Sequence, residues 1–261
     1  MFDYHVHSHF SADCDVHMNE MIDQAVKKGI KELCFTDHID YDYPDPNFRF
    51  EFDVKEYDET VQRLKQRYKG KIDVKKGVEI GIQPHLVDRY TALLQRESFD
   101  FIICSMHTTD GFDLHSGKFF EGRTLHEAYE TYYTELFTCI QSFNEYSVLG
   151  HLDLVKRYRY EPNVYHFHDI IEEIFKTIIP RGKGIEVNTS GFRSGLQSGM
   201  PSKDILELYK HLGGEIVTIG SDSHTPNTLG DRYEQTVQLL KEIGFRYVAT
   251  FENRNPIFHK I

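Results

Sequence analysis

Seven short apolar runs, each followed by an amphipathic stretch, constrain this 261-residue chain more than any other feature. They lie at 2–7, 31–38, 72–81, 99–107, 147–153, 184–189 and 215–222, and their spacing predicts strands there. Helices are predicted between them near 18–29, 54–69, 84–96, 124–143, 166–180, 202–212 and 227–243, and a last strand-like run, 245–251, follows the final helix. Gly29 and Gly70 stand where helices stop, and Pro84 opens the third helix at a position where its missing N–H costs little. Strands alternating with helices favour parallel βαβ units. So many units close most economically into a barrel, with an open doubly wound sheet as the competing arrangement. No linker, charge block or repeat interrupts the pattern, so a single domain over 1–261 is expected. A chain of this length buries a full core without staples.

The residues that end the runs carry the chemistry. The first ends in His5-Val6-His7, the second in Thr36-Asp37-His38 and the third in Gly77-Val78-Glu79. The fourth ends in Ser105-Met106-His107, the fifth in Gly150-His151-Leu152-Asp153 and the seventh in Ser221-Asp222-Ser223-His224. One histidine at a strand end is usually a polar side chain reaching water, even in a chain with fifteen of them. Six ends in ligand-type residues are a different matter, because a parallel barrel brings all of them to one face. His5 and His7, two apart on a strand, point the same way and can chelate one ion. Nitrogen and oxygen donors without cysteine suit zinc, manganese or iron better than calcium or a thiolate-bound structural zinc. The donors exceed the needs of one ion, and Glu79 is the natural bridge between two. Such clusters bind phosphate oxygens and make hydroxide available near neutral pH, which points to hydrolytic attack at phosphorus.

Other features narrow the setting. The four cysteines, Cys14, Cys34, Cys104 and Cys139, show no CxxC spacing and read as reduced, mostly buried thiols; Cys14 stands apart because it neighbours a candidate ligand. A formal charge of −11 argues against a nucleic-acid binder but not against a small phosphorylated substrate. No apolar run is long enough to span a bilayer, and Met1 to His5 begin no signal peptide, so a cytoplasmic protein without a membrane partner is expected. Two long insertions, 39–53 and 108–123, follow strand ends, where a barrel builds its site. The first, with Tyr41, Asp42, Tyr43, Asp45 and Phe48, has the composition of a pocket wall or lid.

The motifs HxH (His5, His7), TDH (Asp37, His38), GxE (Glu79), SxH (His107), GHLD (His151, Asp153), ExNTSG (Glu186 to Gly191) and SDSH (Asp222, His224) span nearly the whole chain. In kind and order they resemble the polymerase-and-histidinol-phosphatase (PHP) superfamily and, within it, the histidinol-phosphate phosphatases. The resemblance implies a distorted (β/α)7 TIM-like barrel with three divalent metal ions, each zinc, manganese or iron. It places the first on His5, His7, Glu79 and Asp222, the second on Glu79, His107 and His151 with Glu79 bridging, and the third on Asp13, His38 and His224. His9 and His17 are rivals for the place of Asp13. Arginines from the loops after GHLD and ExNTSG would grip the phosphate, which selects Arg157 and Arg193, with Arg159 nearby. A metal-bridging hydroxide would attack L-histidinol phosphate in line. Water or a metal-linked acid would protonate the leaving alcohol, with Asp153 and His224 as candidate donors. His85, His115, His126, His166, His168, His211 and His259 lie off the strand ends and read as surface or helix-face residues.

Three alternatives stay open at this level. One is a phosphatase acting on another small ester, such as a nucleotide or sugar phosphate. Another is a phosphodiesterase or exonuclease, since the superfamily includes exonucleases attached to polymerases; the missing basic groove and the acidic, aromatic insertion speak against it. The last is a non-catalytic metal-binding module, against which stands the full set of motif positions.

Overall fold

A computed structural model describes residues 1–160 and 167–261. The predicted strands form a parallel sheet: β1 (Phe2–Val6), β2 (Glu32–Phe35), β3 (His38–Ile39), β4 (Asp73–Gly81), β5 (Phe101–Ser105), β8 (Val148–Leu149), β9 (Gly184–Asn188) and β10 (Val217–Gly220). Their order is β1-β2-β4-β5-β8-β9-β10, with β3 continuing β2 alongside β4. A doubly wound sheet would leave two free edges. Here the first and last strands meet: Val6 bridges Ser223, His7 N donates to Ser223 O at 3.0 Å and Ser223 N to His5 O at 3.3 Å. The result is a seven-unit distorted barrel.

Helices α1 (Met18–Lys27), α2 (Val54–Arg67), α3 (Val87–Arg96), α4 (Leu125–Ser142), α5 (Val155–Tyr158), α6 (His168–Ile178), α7 (Ser190–Arg193), α8 (Lys203–His211) and α9 (Tyr233–Ile243) follow the strands. Their starts have local causes. Asp53 caps α2 by accepting from Lys55 N and Glu56 N, and Thr124 with Glu127 forms a capping box on α4. The start of the helix predicted at 166, with His166, lies outside the described residues. None of the described helices is long and apolar enough to cross a membrane.

Two apolar layers result. The larger one packs the outward strand residues against the helices. The smaller fills the barrel interior with Tyr4, Cys34, Phe101, Ile103 and Val148, closed from below by Ala249 and Phe251. The Phe101 ring lies 5.0 Å from Tyr4 and 5.0 Å from Phe251. All four cysteines are buried and free.

Two expectations about elements need correction, and the final run forms its strand outside the barrel. The run at 31–38 breaks at Thr36-Asp37 because Asp37 turns its carboxylate onto Ser8 and Ser11. The run at 147–153 is a strand only through Leu149; after Gly150 the chain curls, with Leu154 N donating to His151 O at 2.7 Å, so the alternation of faces is lost. The final run is β11 (Tyr247–Glu252), which leaves the barrel and pairs antiparallel with β12 (Asn255–Lys260). The sequence gives no sign of β12 because its residues are largely exposed and include Pro256, so neither a period of two nor an apolar run marks it. A short hairpin, β6 (Thr108–Thr109) with β7 (Phe112–Asp113), opens the second insertion.

Candidate metal centre

β1 delivers its two histidines by an irregularity. Its register against β2 shifts between Asp3 and Val6. Tyr4 thereby joins the inner core while the next residue, His5, also faces the axis, and Val6 packs outward. β4 projects Glu79 to the middle of the same space. Its Oε2 lies 3.0 Å from His5 Nε2, 3.5 Å from His7 Nε2 and 3.2 Å from His38 Nδ1. Its Oε1 lies 2.9 Å from His151 Nε2 and 3.2 Å from His107 Nε2. Asp222 Oδ1 stands 3.4 Å from His7 Nε2 and 3.8 Å from His5 Nε2. Asp13 Oδ2 stands 3.2 Å from His224 Nε2 and 3.8 Å from His38 Nε2. All nine side chains expected to hold cations meet in one continuous cluster.

The cluster has the chemistry of a cation site. Four sets of three donors close enough to share an ion occur in it: His5, His7, Asp222; His5, Glu79, His151; His38, Glu79, His107; and His7, His38, His224. His5 Nδ1 donates to Glu186 Oε1 at 2.6 Å, which leaves Nε2 facing Glu79 Oε2 and, at 3.1 Å, His7 Nε2, with either a proton or a cation to share between them. Acceptors that face each other so closely require a proton or a cation between them. His38 Nδ1 and His151 Nδ1 are buried without a hydrogen-bond partner among the described residues, His38 Nδ1 lying near Glu79 but out of line for a bond. The residues present therefore fit divalent ions of the zinc, manganese or iron type.

Carboxylates behind the histidines aim them. Glu186 holds His5 and also accepts from His151 N at 2.9 Å, while Asp40 Oδ2 holds His107 Nδ1 at 2.6 Å. Outer carboxylates of this kind fix the tautomer and orientation of ligating imidazoles. Neither role was read from the sequence. Glu186 carried a signal, since it opens the ExNTSG motif on a strand; Asp40 was hidden in the first insertion. The electrostatics follow the contacts. Burial depresses the His5 imidazole, but Glu186, Glu79 and Asp222 more than offset it and hold its pKa well above the ordinary value. Burial, with His224 and His38 beside it, takes His7 down to about 3. Burial would raise the Glu79 carboxyl, yet His5, His107 and His38 hold it well below the usual range.

Above the cluster opens a cavity of about 200 Å³. Its aromatic wall comes from the first insertion, with Tyr43 and Phe48 packed on Phe50 at 4.8 and 5.7 Å between ring centres. Among the described residues lining the cavity, Arg157 alone carries a permanent positive charge. It donates to Asp222 Oδ2 at 3.0 Å and to Ser190 Oγ, and its buried Nε has no partner among the described residues.

Other expected residues stand elsewhere. Arg193 does not line the cavity; it lies behind Asp222, donating to Ser221 O at 2.6 Å and to Asp222 O at 3.1 Å. Asp222 is held there in the left-handed region, at φ 53°. Asp153 does not line the cavity either: its Oδ2 pairs with Lys156 at 2.9 Å and accepts from Ser202 N at 3.1 Å, a consequence of the early end of β8. His9 and His17 pack on each other at 4.3 Å, apart from the four donor sets. His115 is exposed but lines the cavity mouth against Tyr158 at 6.0 Å, so its reading as a plain surface residue is corrected.

Fold and site together define the class, a β/α-barrel hydrolase with clustered His, Asp and Glu donors that could hold metal ions. A profile of the PHP domain matches residues 3–190, and the chain belongs to that family. It is 32% identical over 254 residues to the histidinol-phosphatase of Lactococcus lactis, covering 95% of this chain and 93% of that one. A probable histidinol-phosphatase of Thermotoga maritima is 30% identical, covering 95% of each chain. The crystal structure of the L. lactis histidinol phosphate phosphatase, complexed with zinc, L-histidinol and phosphate, superposes with a TM-score of 0.89 over 98% of both chains at 31% identity. A structure from Listeria monocytogenes, at 18% identity and a TM-score of 0.80 over 90% of this chain and 99% of that one, shares the fold.

Proposed function

We propose that the protein hydrolyses L-histidinol phosphate to L-histidinol and phosphate at the Glu79 cluster, on three divalent cations. The observation that carries this reading is the convergence of five histidine nitrogens on the two oxygens of Glu79, directly beneath a cavity whose one permanent cation among the described residues is Arg157. The similarity to phosphatases of that specificity over nearly the full length of the chain supports the choice of substrate.

His5, His7, Glu79 and Asp222 would hold the first ion, Glu79, His107 and His151 the second, and Asp13, His38 and His224 the third. Bound there, the ions polarise the phosphate oxygens and make hydroxide available near neutral pH. Arg157 orients the phosphoryl group: its guanidinium presents planar paired donors and offsets the charge that grows on the equatorial oxygens. Asp40 and Glu186 keep the imidazoles in line. The aromatic wall of Tyr43, Phe48 and Phe50 excludes water and receives the flat imidazole of the alcohol. Of the two candidate proton donors only His224 faces the cavity. As a cation ligand His224 would have no proton to give from its ligating nitrogen, so water would protonate the leaving alcohol. The cavity is smaller than the roughly 300–1,000 Å³ common for drug-sized ligands, which favours a small ester over a polymer.

The test is phosphate release from histidinol phosphate, a nucleotide, a sugar phosphate and a dinucleotide after loading with manganese or zinc. Histidinol phosphate should exceed the others in kcat/KM by at least about tenfold, the equivalent of one well-made contact. Preference for the dinucleotide would overturn the reading.

A further inference from the structure

His5 and His107 are each oriented by a carboxylate, Glu186 and Asp40, but the outward nitrogen of His7 meets a hydroxyl instead: Ser11 Oγ, 3.0 Å from His7 Nδ1. A hydroxyl can give or take a proton, so it does not by itself decide which ring nitrogen carries hydrogen. Here its other partners decide. Ser11 Oγ has one proton and two lone pairs. Asp37 Oδ1 lies 2.8 Å away and already accepts Ser8 N–H at 2.6 Å, so it is an acceptor whatever the state of Oδ2, which faces Ser8 Oγ at 2.8 Å. The Ser11 proton therefore goes to Asp37. The His38 backbone N–H, at 3.0 Å, takes one lone pair. A single lone pair remains, and His7 Nδ1 has to donate to it.

We infer that Ser11, its hydroxyl aligned by buried Asp37, is the positioning residue that fixes His7 as the Nδ1–H tautomer and turns the Nε2 lone pair onto the cation site. The Asp37–Ser11 pair does for His7 what Glu186 does for His5. It also explains the place of Asp37, which stands in the TDH motif beside the ligand His38 yet belongs to none of the donor sets. Ser11 further joins three ligand-bearing segments, since it touches His7 at the end of β1, sits in the loop that carries Asp13, and receives the N–H of His38. The inference rests on the cation reading of the cluster.

Two measurements test it on the full chain. In the first, chelator-stripped protein is titrated with zinc against a chromophoric competitor, and the visible spectrum of the cobalt-loaded form is recorded. Wild type should bind. A folded Ser11→Ala should bind its most affected ion about 10–100-fold more weakly, with an altered cobalt spectrum, and Ser11→Thr, which keeps the hydroxyl, should recover most of the loss. Equal affinity and an unchanged spectrum in Ser11→Ala, or a folded Ser11→Thr as weak as Ser11→Ala, would overturn the inference. The second measurement needs no folded Ser11 variant. Long-range ¹H–¹⁵N correlation of the wild-type histidine rings, assigned against His7→Gln, should show His7 protonated at Nδ1; protonation at Nε2 alone would overturn it. A wild type that takes up no divalent ion sinks the cation reading, and the ring spectrum still decides the tautomer.

Discussion

Two arginines that look equivalent in the sequence do different work three-dimensionally. Arg157 and Arg193 both follow strand ends and both suit a phosphate, but only Arg157 reaches the cavity, while Arg193 spends its guanidinium on the carbonyls of Ser221 and Asp222. Arg157→Ala should therefore lower kcat/KM for a phosphate monoester by about 10–100-fold, the worth of a hydrogen bond to a charged group, with bound metal largely kept because Ser190 and Asn188 still donate to Asp222 Oδ2. Arg193→Ala should instead lower metal content, because it frees the turn that presents Asp222. Steady-state kinetics alongside metal analysis separate the two. Should Arg193→Ala raise KM and leave metal intact, Arg193 contacts the phosphate after all. The ligand-type residues were legible because strand ends converge in a parallel barrel, and that convergence depends on topology alone. Side-chain direction beyond the strand was not legible. Asp153 lies one residue before a tight helical turn whose onset no periodicity announces, and Asp40 and Glu186 gain their roles from rings distant in sequence.

At the level of elements, inward-facing glycines decide whether the orienting carboxylates fit. A side chain at Gly220 of β10 would overlap Glu186 Oε1 and the Cβ of His5. A side chain at Gly81 of β4 would first overlap the carboxylate of Asp40. The two positions differ in what can yield. The Cβ of His5 is fixed by a closed sheet, whereas the Asp40 carboxylate is the far end of a side chain. Gly220→Ala should thus cost on the order of 1–3 kcal/mol of stability as overpacking, besides displacing His5. Gly81→Ala should leave the melting temperature nearly unchanged and yet weaken metal binding, because Asp40 withdraws from His107. Thermal denaturation with chelator competition on both variants distinguishes these outcomes; equal loss of stability would show that Asp40 is as rigidly held as His5. In the sequence both residues read as ordinary strand glycines. The helix starts and stops were legible because caps act locally, whereas the boundaries of β2 and β8 were not, since a carboxylate and a curl override the apolar pattern.

For the molecule as a whole, the barrel divides its labour between ends. The carboxyl ends of the strands carry the donor cluster, and the opposite end is sealed by the β11–β12 hairpin, whose Ala249 and Phe251 cap the inner core. Asp100 fastens that seal. Its backbone carbonyl accepts from Arg254 N at 2.8 Å and its carboxylate from Lys76 N at 3.0 Å, Lys65 Nζ at 3.1 Å and Asn253 N at 3.3 Å. Partial burial would raise the Asp100 carboxyl, but the Lys76 N–H, the Lys65 ammonium and the Asn253 N–H outweigh it and lower the pKa. A carboxylate with a lowered folded-state pKa contributes stability that is present above the unfolded value, about 4, and is lost as pH falls through the folded one. Asp100→Asn should accordingly lower the urea midpoint at neutral pH by an amount equivalent to about 1–3 kcal/mol. The gap between variant and wild type should stay constant down to about pH 5 and narrow below about pH 4. Turnover at neutral pH should not change, because none of these contacts reaches the rim. A gap that persists undiminished at pH 3 would mean that the carboxylate charge does not fasten the hairpin. A loss of turnover at neutral pH would mean that the two ends of the barrel are coupled through its inner core.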